Sequence, residues 1–265
     1  MLKLGGLATR AESYHFLIRL SCAIGGFVEH ERCSEIPPAA MKSPEVLSTM
    51  YSGDVVAEYE SRRALRPKWH AENEAIQQLL GSVKAGSKIL DAPVGTGRFL
   101  PYYKARGLEV YGSDISEDML AESASVAERL GVDVHLSKGD LFVLPFADDE
   151  FDLVVCIRFL NLIDWERVSR AVEELTRVSG DKVIFGIRYV TPYSDLRPRF
   201  SEAIRWMTRS VGLTRFRMKR RRAVVHDKGR LTELLERAGL KCICSLCIER
   251  RWDGTDYVLM LVQKQ

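Results

Sequence analysis

One stretch of the sequence decides the fold: Ile89-Leu90-Asp91-Ala92-Pro93-Val94-Gly95-Thr96-Gly97-Arg98-Phe99-Leu100. Its apolar start predicts a buried strand that ends at Asp91, and its two glycines predict a turn that leads into a helix. Such a turn lets the backbone approach a ligand closely, and the first N–H groups of the helix are free to bind a negatively charged group. The stretch therefore predicts a cradle of the nucleotide-binding type.

Strand-like and helix-like patterns alternate after this turn. The predicted strands cover 88–90, 108–111, 132–136, 151–157, 182–189, 241–247 and 257–264, and the predicted helices cover 97–106, 116–130, 164–178 and 229–238. A strand–helix alternation implies a parallel sheet that is covered by helices on both faces. We therefore expect an α/β fold of the Rossmann-like type with a mostly parallel, seven-stranded sheet.

Two more carboxylates stand at predicted strand ends. Asp114 ends the second strand, where it could accept hydrogen bonds from both hydroxyls of a ribose. Asp140 follows the third strand and could bind the amino group on an adenine edge. Together with Asp91, these acids predict a single site at one edge of the sheet.

At these residues the chain resembles the class I S-adenosylmethionine-dependent methyltransferases, in particular the small enzymes of the ubiquinone-pathway group. The resemblance covers residues 88–190 and implies that S-adenosylmethionine is the cofactor and that the last strand of the sheet is reversed. In the family the loop reads acid-x-Gly-x-Gly-x-Gly, and Pro93 stands here at the first glycine position. Because proline fixes φ near −65° and has no N–H, that turn must run with negative φ.

The resemblance also assigns cofactor contacts. They are Asp91, Ala92, Pro93, Gly95 and Gly97 for the methionine part, Asp114 for the ribose, Ile115 and Met119 near the adenine, Asp140 and Leu141 at the adenine edge, and Cys156 at the end of the strand that faces the methyl donor. Tyr51, Tyr59 and Arg62 fall in a stretch that folds over the cofactor in relatives, although their spacing alone indicates an amphipathic helix.

Two other interpretations of the cradle were weighed. A nicotinamide-binding fingerprint needs a third glycine at the position of Leu100, so that pattern fails. A strand–turn–helix without a ligand would explain the glycines but not the three acids at strand ends. A degenerate fold that binds nothing stays open as an alternative.

Candidate catalytic residues lie beyond the cradle. Arg158 follows the fourth strand and could bind an acidic acceptor or the cofactor carboxylate; the alternative is a salt bridge to a neighbouring acid. The resemblance shows that Leu162 replaces a histidine frequent in relatives. His226 is then the best candidate for a base, with a structural histidine near a helix start as the alternative.

The segment 197–222 is strongly basic, since ten lysines and arginines are opposed there by Glu202 alone. We expect it to form a lid in which Arg220, Arg221 and Arg222 bind an anionic acceptor. Contact with an anionic membrane surface, RNA held through its phosphates and a solvated basic helix are the alternatives. RNA is disfavoured because few aromatic residues interleave with the cations.

The remaining organisation follows from composition. We expect an N-terminal extension over 1–41 and a methyltransferase domain over 42–265, which comprises a helical cap (42–85), a cofactor-binding core (86–190), the basic lid (191–227) and a closing helix and strands (228–265). The 265 residues are 46% hydrophobic with a net charge of +3, which excludes a disordered chain. No uncharged apolar run is long enough to span a membrane. We place the protein in the cytoplasm, where its six cysteines stay reduced.

No metal is expected. Alternation along the strand 241–247 puts Cys242 and Cys244 on one face and Cys247 on the other, and no fourth ligand stands nearby. The predicted function is methyl transfer from S-adenosylmethionine to an oxygen or nitrogen of a small or lipid- or glycan-linked anionic acceptor. An RNA methyltransferase, and an inactive basic adaptor that binds a membrane or RNA, are the alternatives.

Overall fold

A computed structural model of the chain describes residues 64–190, 224–251 and 254–265. The helices in these ranges are α1 (Pro67–Leu80), α2 (Leu100–Ala105), α3 (Glu117–Leu130), α4 (Trp165–Val178) and α5 (Lys228–Arg237), with a 3-10 turn at Leu160–Leu162. The strands are β1 (Lys88–Asp91), β2 (Glu109–Asp114), β3 (Val134–Lys138), β4 (Phe151–Cys156), β5 (Ser179–Val190), β6 (His226–Asp227), β7 (Leu240–Arg250) and β8 (Thr255–Lys264).

Seven of these strands form one sheet in the order β3-β2-β1-β4-β5-β8-β7. The pairs that link β3, β2, β1, β4 and β5 are parallel, whereas β8 runs antiparallel to both β5 and β7. The prediction of a mostly parallel, seven-stranded α/β sheet whose last strand is reversed is confirmed. The two-residue strand β6, which pairs with the end of β5, was not predicted, because two residues show no alternation.

Helices cover both faces of the sheet, since alternate strand residues enter two hydrophobic clusters. Val154 of β4 joins one cluster with α4 and α5, whereas Leu153 and Val155 join the other with α1, α2 and α3. Each of these three side chains is fully buried, and burial of a side chain of this size stabilises the fold by roughly 1.5–3 kcal/mol. The sheet is therefore held rigidly on both sides, and its carboxyl edge provides a fixed frame for a site.

Side-chain caps start the helices that follow this edge. The hydroxyl of Ser116 accepts a hydrogen bond from the backbone N–H of Met119 at 3.3 Å. The carboxylates of Asp164 and Asp227 cap α4 and α5 in the same way. Such caps each contribute about 1 kcal/mol and fix where the preceding loop ends.

The prediction for the cysteines of β7 is wrong. A bulge lies between Cys242 and Cys244, so that Cys242 pairs with Val262 whereas Cys244 pairs with Leu261, the preceding residue of β8. Adjacent residues of a strand face opposite sides, and an extra residue in a bulge shifts the alternation by one. Cys242 and Cys247 therefore share one face, and Cys244 lies on the other.

In the described part of the chain, no helix is both long and apolar enough to span a bilayer. Nowhere in these ranges do three or more His, Cys, Asp or Glu side chains converge as metal ligands would.

Candidate functional site

Two adjoining hollows open at the carboxyl ends of β1, β2, β3 and β4. The larger has a volume of about 800 Å³ and lies between the loop after β1 and the loop after β4. The smaller, about 360 Å³, extends toward the loop after β3. Both are lined by Pro93, Asp114, Ile115 and Phe159, so they form neighbouring parts of one cleft. A concave cleft with a mostly apolar lining and a few polar residues suits a small molecule or cofactor.

The glycines of the cradle have different tasks. Gly97 has φ of 73°, and a β-carbon there would lie 2.8 Å from both the Leu100 side chain and the Ser123 hydroxyl oxygen. Gly95 has φ of 56°, but a β-carbon there would meet nothing within 4 Å. Gly97 is therefore required by packing, whereas Gly95 leaves the backbone open toward the larger hollow that it lines.

Asp114 lies where the two hollows meet. One carboxylate oxygen accepts a hydrogen bond from the N–H of Gly95 at 3.0 Å, and the other accepts from the N–H of Ser116 at 2.9 Å. Burial raises the pKa of this carboxyl, although those backbone N–H groups oppose the rise. A carboxylate oxygen has more than one acceptor site, so Asp114 can still accept hydrogen bonds from hydroxyl groups in the cleft.

The smaller hollow has an apolar slot with one carboxylate at its end. Leu141, Phe142 and Ile115 line the slot, and Asp140 lies beside them. One oxygen of Asp140 accepts a hydrogen bond from the N–H of Phe142 at 3.1 Å, which fixes its direction. A flat ring with an amino group on its edge fits such a slot. Met119, which is also buried, lines the larger hollow.

Three predicted contact residues, Asp91, Gly97 and Cys156, do not line the cleft. Asp91 is buried beneath the cradle and accepts a hydrogen bond from the Tyr103 hydroxyl at 2.9 Å. Burial and the nearby Asp114 raise the pKa of Asp91 to about 7, although the Tyr103 hydrogen bond opposes the rise. Cys156 is fully buried in the core cluster beside α4, and burial raises the pKa of its thiol. Alternation explains this placement, because Ile157 is the residue that lines the cleft.

Arg158 forms the salt bridge that was the alternative to a ligand contact, although it also lines the larger hollow. Its Nε lies 2.9 and 2.8 Å from the two carboxylate oxygens of Glu72, and its Nη2 contacts the same carboxylate. Arg98 also reaches Glu72, with Nη1 2.8 Å from Oε2. Burial opposes ionisation of Glu72, but the two arginines outweigh it and lower its pKa.

Arg98, Trp69 and Phe159 line the cleft and were not identified as site residues from the sequence. The guanidinium of Arg98 lies 3.4 Å from the ring centroid of Trp69, a cation–π distance. The position of Arg98 directly after the second glycine was the one sequence signal that it belongs to the site. Trp69 carried no signal, since its spacing is that of an ordinary amphipathic helix.

His226 is not one of the residues that line the two hollows. Its ring is buried, and Nε2 is 2.9 Å from the carbonyl oxygen of Leu160. Because a carbonyl only accepts, Nε2 carries the hydrogen. Burial lowers the pKa of His226. This placement matches the structural alternative, and the role as a base stays a prediction. Leu162 does line the larger hollow.

Several predicted residues lie outside the described ranges. They are Tyr51, Tyr59 and Arg62 of the cap and Arg220, Arg221 and Arg222 of the basic segment.

Residues 89–181 match a family model described as a methyltransferase domain. The predicted resemblance to the class I S-adenosylmethionine-dependent methyltransferases is confirmed for this part of the chain.

Individual relatives agree with this family. The chain is 34% identical over 102 residues to a phosphatidylethanolamine N-methyltransferase of Cereibacter sphaeroides, covering 37% of this chain and 50% of that protein. It is 28% identical over 148 residues to a ubiquinone/menaquinone biosynthesis C-methyltransferase of Bdellovibrio bacteriovorus, covering 54% and 61%. The chain thus spans about half the length of such relatives.

A solved structure shares the fold. The crystal structure of magnesium protoporphyrin IX methyltransferase from Synechocystis PCC 6803 with bound S-adenosylmethionine superposes with a TM-score of 0.63. It is 16% identical, and the match covers 86% of this chain and all of that one.

Proposed function

We propose that the protein transfers a methyl group from S-adenosylmethionine to an anionic acceptor. The observation that carries the proposal is the placement of Asp114, whose carboxylate is oriented by two backbone N–H groups at the junction of the two hollows. The residues present fit the cofactor: Asp114 would hold the ribose hydroxyls, the slot at Leu141 and Phe142 would take the adenine, and Asp140 would bind its amino group. The turn at Gly95 would leave room for the methionine part.

The chain's own contribution is binding and positioning. S-adenosylmethionine supplies a methyl group that is already activated by its sulfonium. Ile157, Phe159 and Leu162 form an apolar wall of the larger hollow, and the cradle would fix the direction from which an acceptor can approach. Alignment of the reacting atoms near 3 Å can supply about 7–11 kcal/mol of barrier reduction in favourable cases. A covalent intermediate with the protein is not needed.

An acceptor with a negative charge suits the cations at the larger hollow. Arg98 and Arg158 line that hollow, and the strongly basic segment 197–222 follows β5 in the sequence. We propose an oxygen or nitrogen of a small or lipid- or glycan-linked molecule as the methylated atom. The relatives include a phosphatidylethanolamine N-methyltransferase, in line with a lipid-linked acceptor.

Calorimetry and labelled transfer test this proposal. The protein is titrated with S-adenosylmethionine and S-adenosylhomocysteine, then incubated with methyl-labelled cofactor and a cell extract that is separated into small anionic molecules, lipids and RNA. We expect micromolar binding of both ligands and label in the small-molecule or lipid fraction. Label in RNA would contradict the acceptor class. Retention on vesicles or RNA without any cofactor binding would instead identify an inactive adaptor.

Replacement of Arg220, Arg221 and Arg222 by Ala separates acceptor from cofactor. We expect transfer of label to fall at least tenfold while the affinity for S-adenosylhomocysteine stays within twofold of wild type. Unchanged transfer would show that this basic segment takes no part in acceptor binding.

A further inference from the structure

The buried carboxylate of Glu72 connects two walls of the larger hollow, one formed by the loop after β1 and the other by the loop after β4. Glu72 lies on α1 and has no exposed surface. One of its partners, Arg98, belongs to the loop after β1; the other, Arg158, belongs to the loop after β4. These loops approach the cleft from different strands, and both arginines line the hollow.

The link to the first wall is tight and has several bonds. The guanidinium of Arg98 donates to Glu72, to the carbonyl oxygen of Trp69 at 2.7 Å and to the side-chain oxygen of Asn73 at 2.7 and 3.0 Å. All three partners belong to α1. Because Arg98 directly follows Gly97, these bonds fix the cradle relative to α1.

The link to the second wall is made by Arg158, whose backbone conformation is unusual. Arg158 has φ of 67°, a conformation that residues with a β-carbon rarely adopt. A strained residue keeps its conformation only when its surroundings hold it there. The fork of Arg158 on Glu72 is such a restraint, since Nε approaches both carboxylate oxygens. Ile157 and Phe159, which flank Arg158, line the hollow and are held with it.

We infer that Glu72 is a positioning residue that sets the spacing between the cradle and the loop after β4, and thereby the affinity for the cofactor. This inference rests on the proposed function. The reason is geometric: a single carboxylate restrains one arginine from each wall, so its loss weakens the restraint on both walls, although Arg98 keeps its hydrogen bonds to Trp69 and Asn73. Arg98 and Arg158 would then lose the negative charge that binds both of them, and their positive charges would repel each other.

The test compares two glutamates that each pair with a cation. Glu72→Gln keeps the size of the side chain and removes its charge. Glu150→Gln is the control, because Glu150 pairs with Lys88 at 2.8 Å where β1 begins, at the opposite edge of the sheet from the cleft. Calorimetric affinity for S-adenosylhomocysteine is measured alongside urea unfolding. We expect Glu72→Gln to bind at least tenfold more weakly, and Glu150→Gln to bind as wild type even if its stability falls.

Glu72→Asp distinguishes positioning from general loss of stability, because it retains the carboxylate. Its affinity for S-adenosylhomocysteine should lie between that of Glu72→Gln and that of wild type. Should Glu72→Gln fail to fold, Arg158→Lys answers the same question, because Lys keeps the charge but loses the fork; we expect at least a fivefold loss of affinity. If a variant that folds, either Glu72→Gln or Arg158→Lys, binds S-adenosylhomocysteine as tightly as wild type, this inference alone is overturned. A wild-type protein that binds neither S-adenosylhomocysteine nor S-adenosylmethionine overturns the proposed function, and this inference with it.

Discussion

The two halves of the sheet use polar residues differently at the same edge. In the half formed by β3, β2, β1 and β4, Asp114 and Asp140 receive hydrogen bonds from backbone N–H groups and still line the cleft. In the half formed by β5, β8 and β7, register aligns Arg188 with Tyr257 and Tyr257 with Glu249. There Arg188 and Glu249 pair directly, with Nη2 2.6 Å from the carboxylate oxygen.

This difference separates the polar groups that can bind a ligand from those that stabilise the fold. A carboxylate held by backbone groups keeps acceptor sites for a ligand, whereas a carboxylate paired with a cation gives them to the protein. Lys68 of α1 extends the second arrangement, because its Nζ lies 3.8 Å from the ring centroid of Tyr257 and 3.6 Å from Glu249. Burial lowers the pKa of Lys68 to about 8. Lys68, Arg188 and Glu249 therefore join α1 to the second half of the sheet.

The largest expected effect tests this contrast with two buried aspartates. Asp114→Ala removes the acceptor at the junction of the hollows and frees the N–H of Gly95, so we expect the affinity for S-adenosylhomocysteine to fall at least 100-fold. That corresponds to a loss of about 2.8 kcal/mol of binding free energy. Calorimetry provides the measurement.

Asp256→Ala is the matched change in the second half. Asp256 is also buried at this edge, but it pairs with Arg250, with a separation of 3.2 Å. We expect this variant to lose stability and to keep its affinity. If both variants lost affinity equally, the division between the halves would be wrong.

The next effect concerns the cradle glycines. Gly97→Ala introduces a contact at 2.8 Å and a strained φ, so we expect the free energy of unfolding to fall by about 2–4 kcal/mol. Gly95→Ala meets no atom within 4 Å, and strain alone should cost about 1 kcal/mol. Urea unfolding compares them. Equal losses would mean that packing around Gly97 relaxes, contrary to the geometry of the loop.

A third prediction uses the acid beneath the cradle. The pKa of Asp91 is raised to about 7 from an ordinary value of 3.8, so the folded state binds this proton more strongly than the unfolded state. The contribution of this group to stability is therefore present at low pH and is lost as the pH rises toward 7. Between pH 5 and pH 8 the loss amounts to roughly 3 kcal/mol.

Asp91→Asn should remove that contribution, because Asn can still accept the Tyr103 hydrogen bond but cannot ionise. Urea unfolding at pH 5, 6, 7 and 8 should give a flatter stability curve than wild type. Asp114, whose pKa is also raised, keeps a slope of the same sign in the variant. An unchanged curve would show that Asp91 is ionised in the folded protein.

The separation of interacting residues along the chain explains which features the sequence could predict. Asp91, Gly95 and Gly97 lie within one short stretch, so a local sequence pattern was enough to predict the strand, the turn and the cradle. The pair of Glu72 and Arg158 joins residues 86 positions apart, and no spacing in the sequence signals it. The faces of the β7 cysteines depended on a bulge, which sequence alternation does not show.

The smallest expected effect asks whether the second half has any chemical role. His226 lies in β6, which pairs with β5, and His226→Gln keeps an N–H that can reach the carbonyl of Leu160 but cannot take up a proton. We expect stability within about 1 kcal/mol of wild type, since the hydrogen bond is retained. We also expect the transfer of labelled methyl groups to the extract to stay within twofold, with the same dependence on pH. A general base contributes typically 10²–10⁴-fold, so loss on that scale in a stably folded variant would identify His226 as the proton acceptor. The second half of the sheet would then take part in the reaction as well as in support.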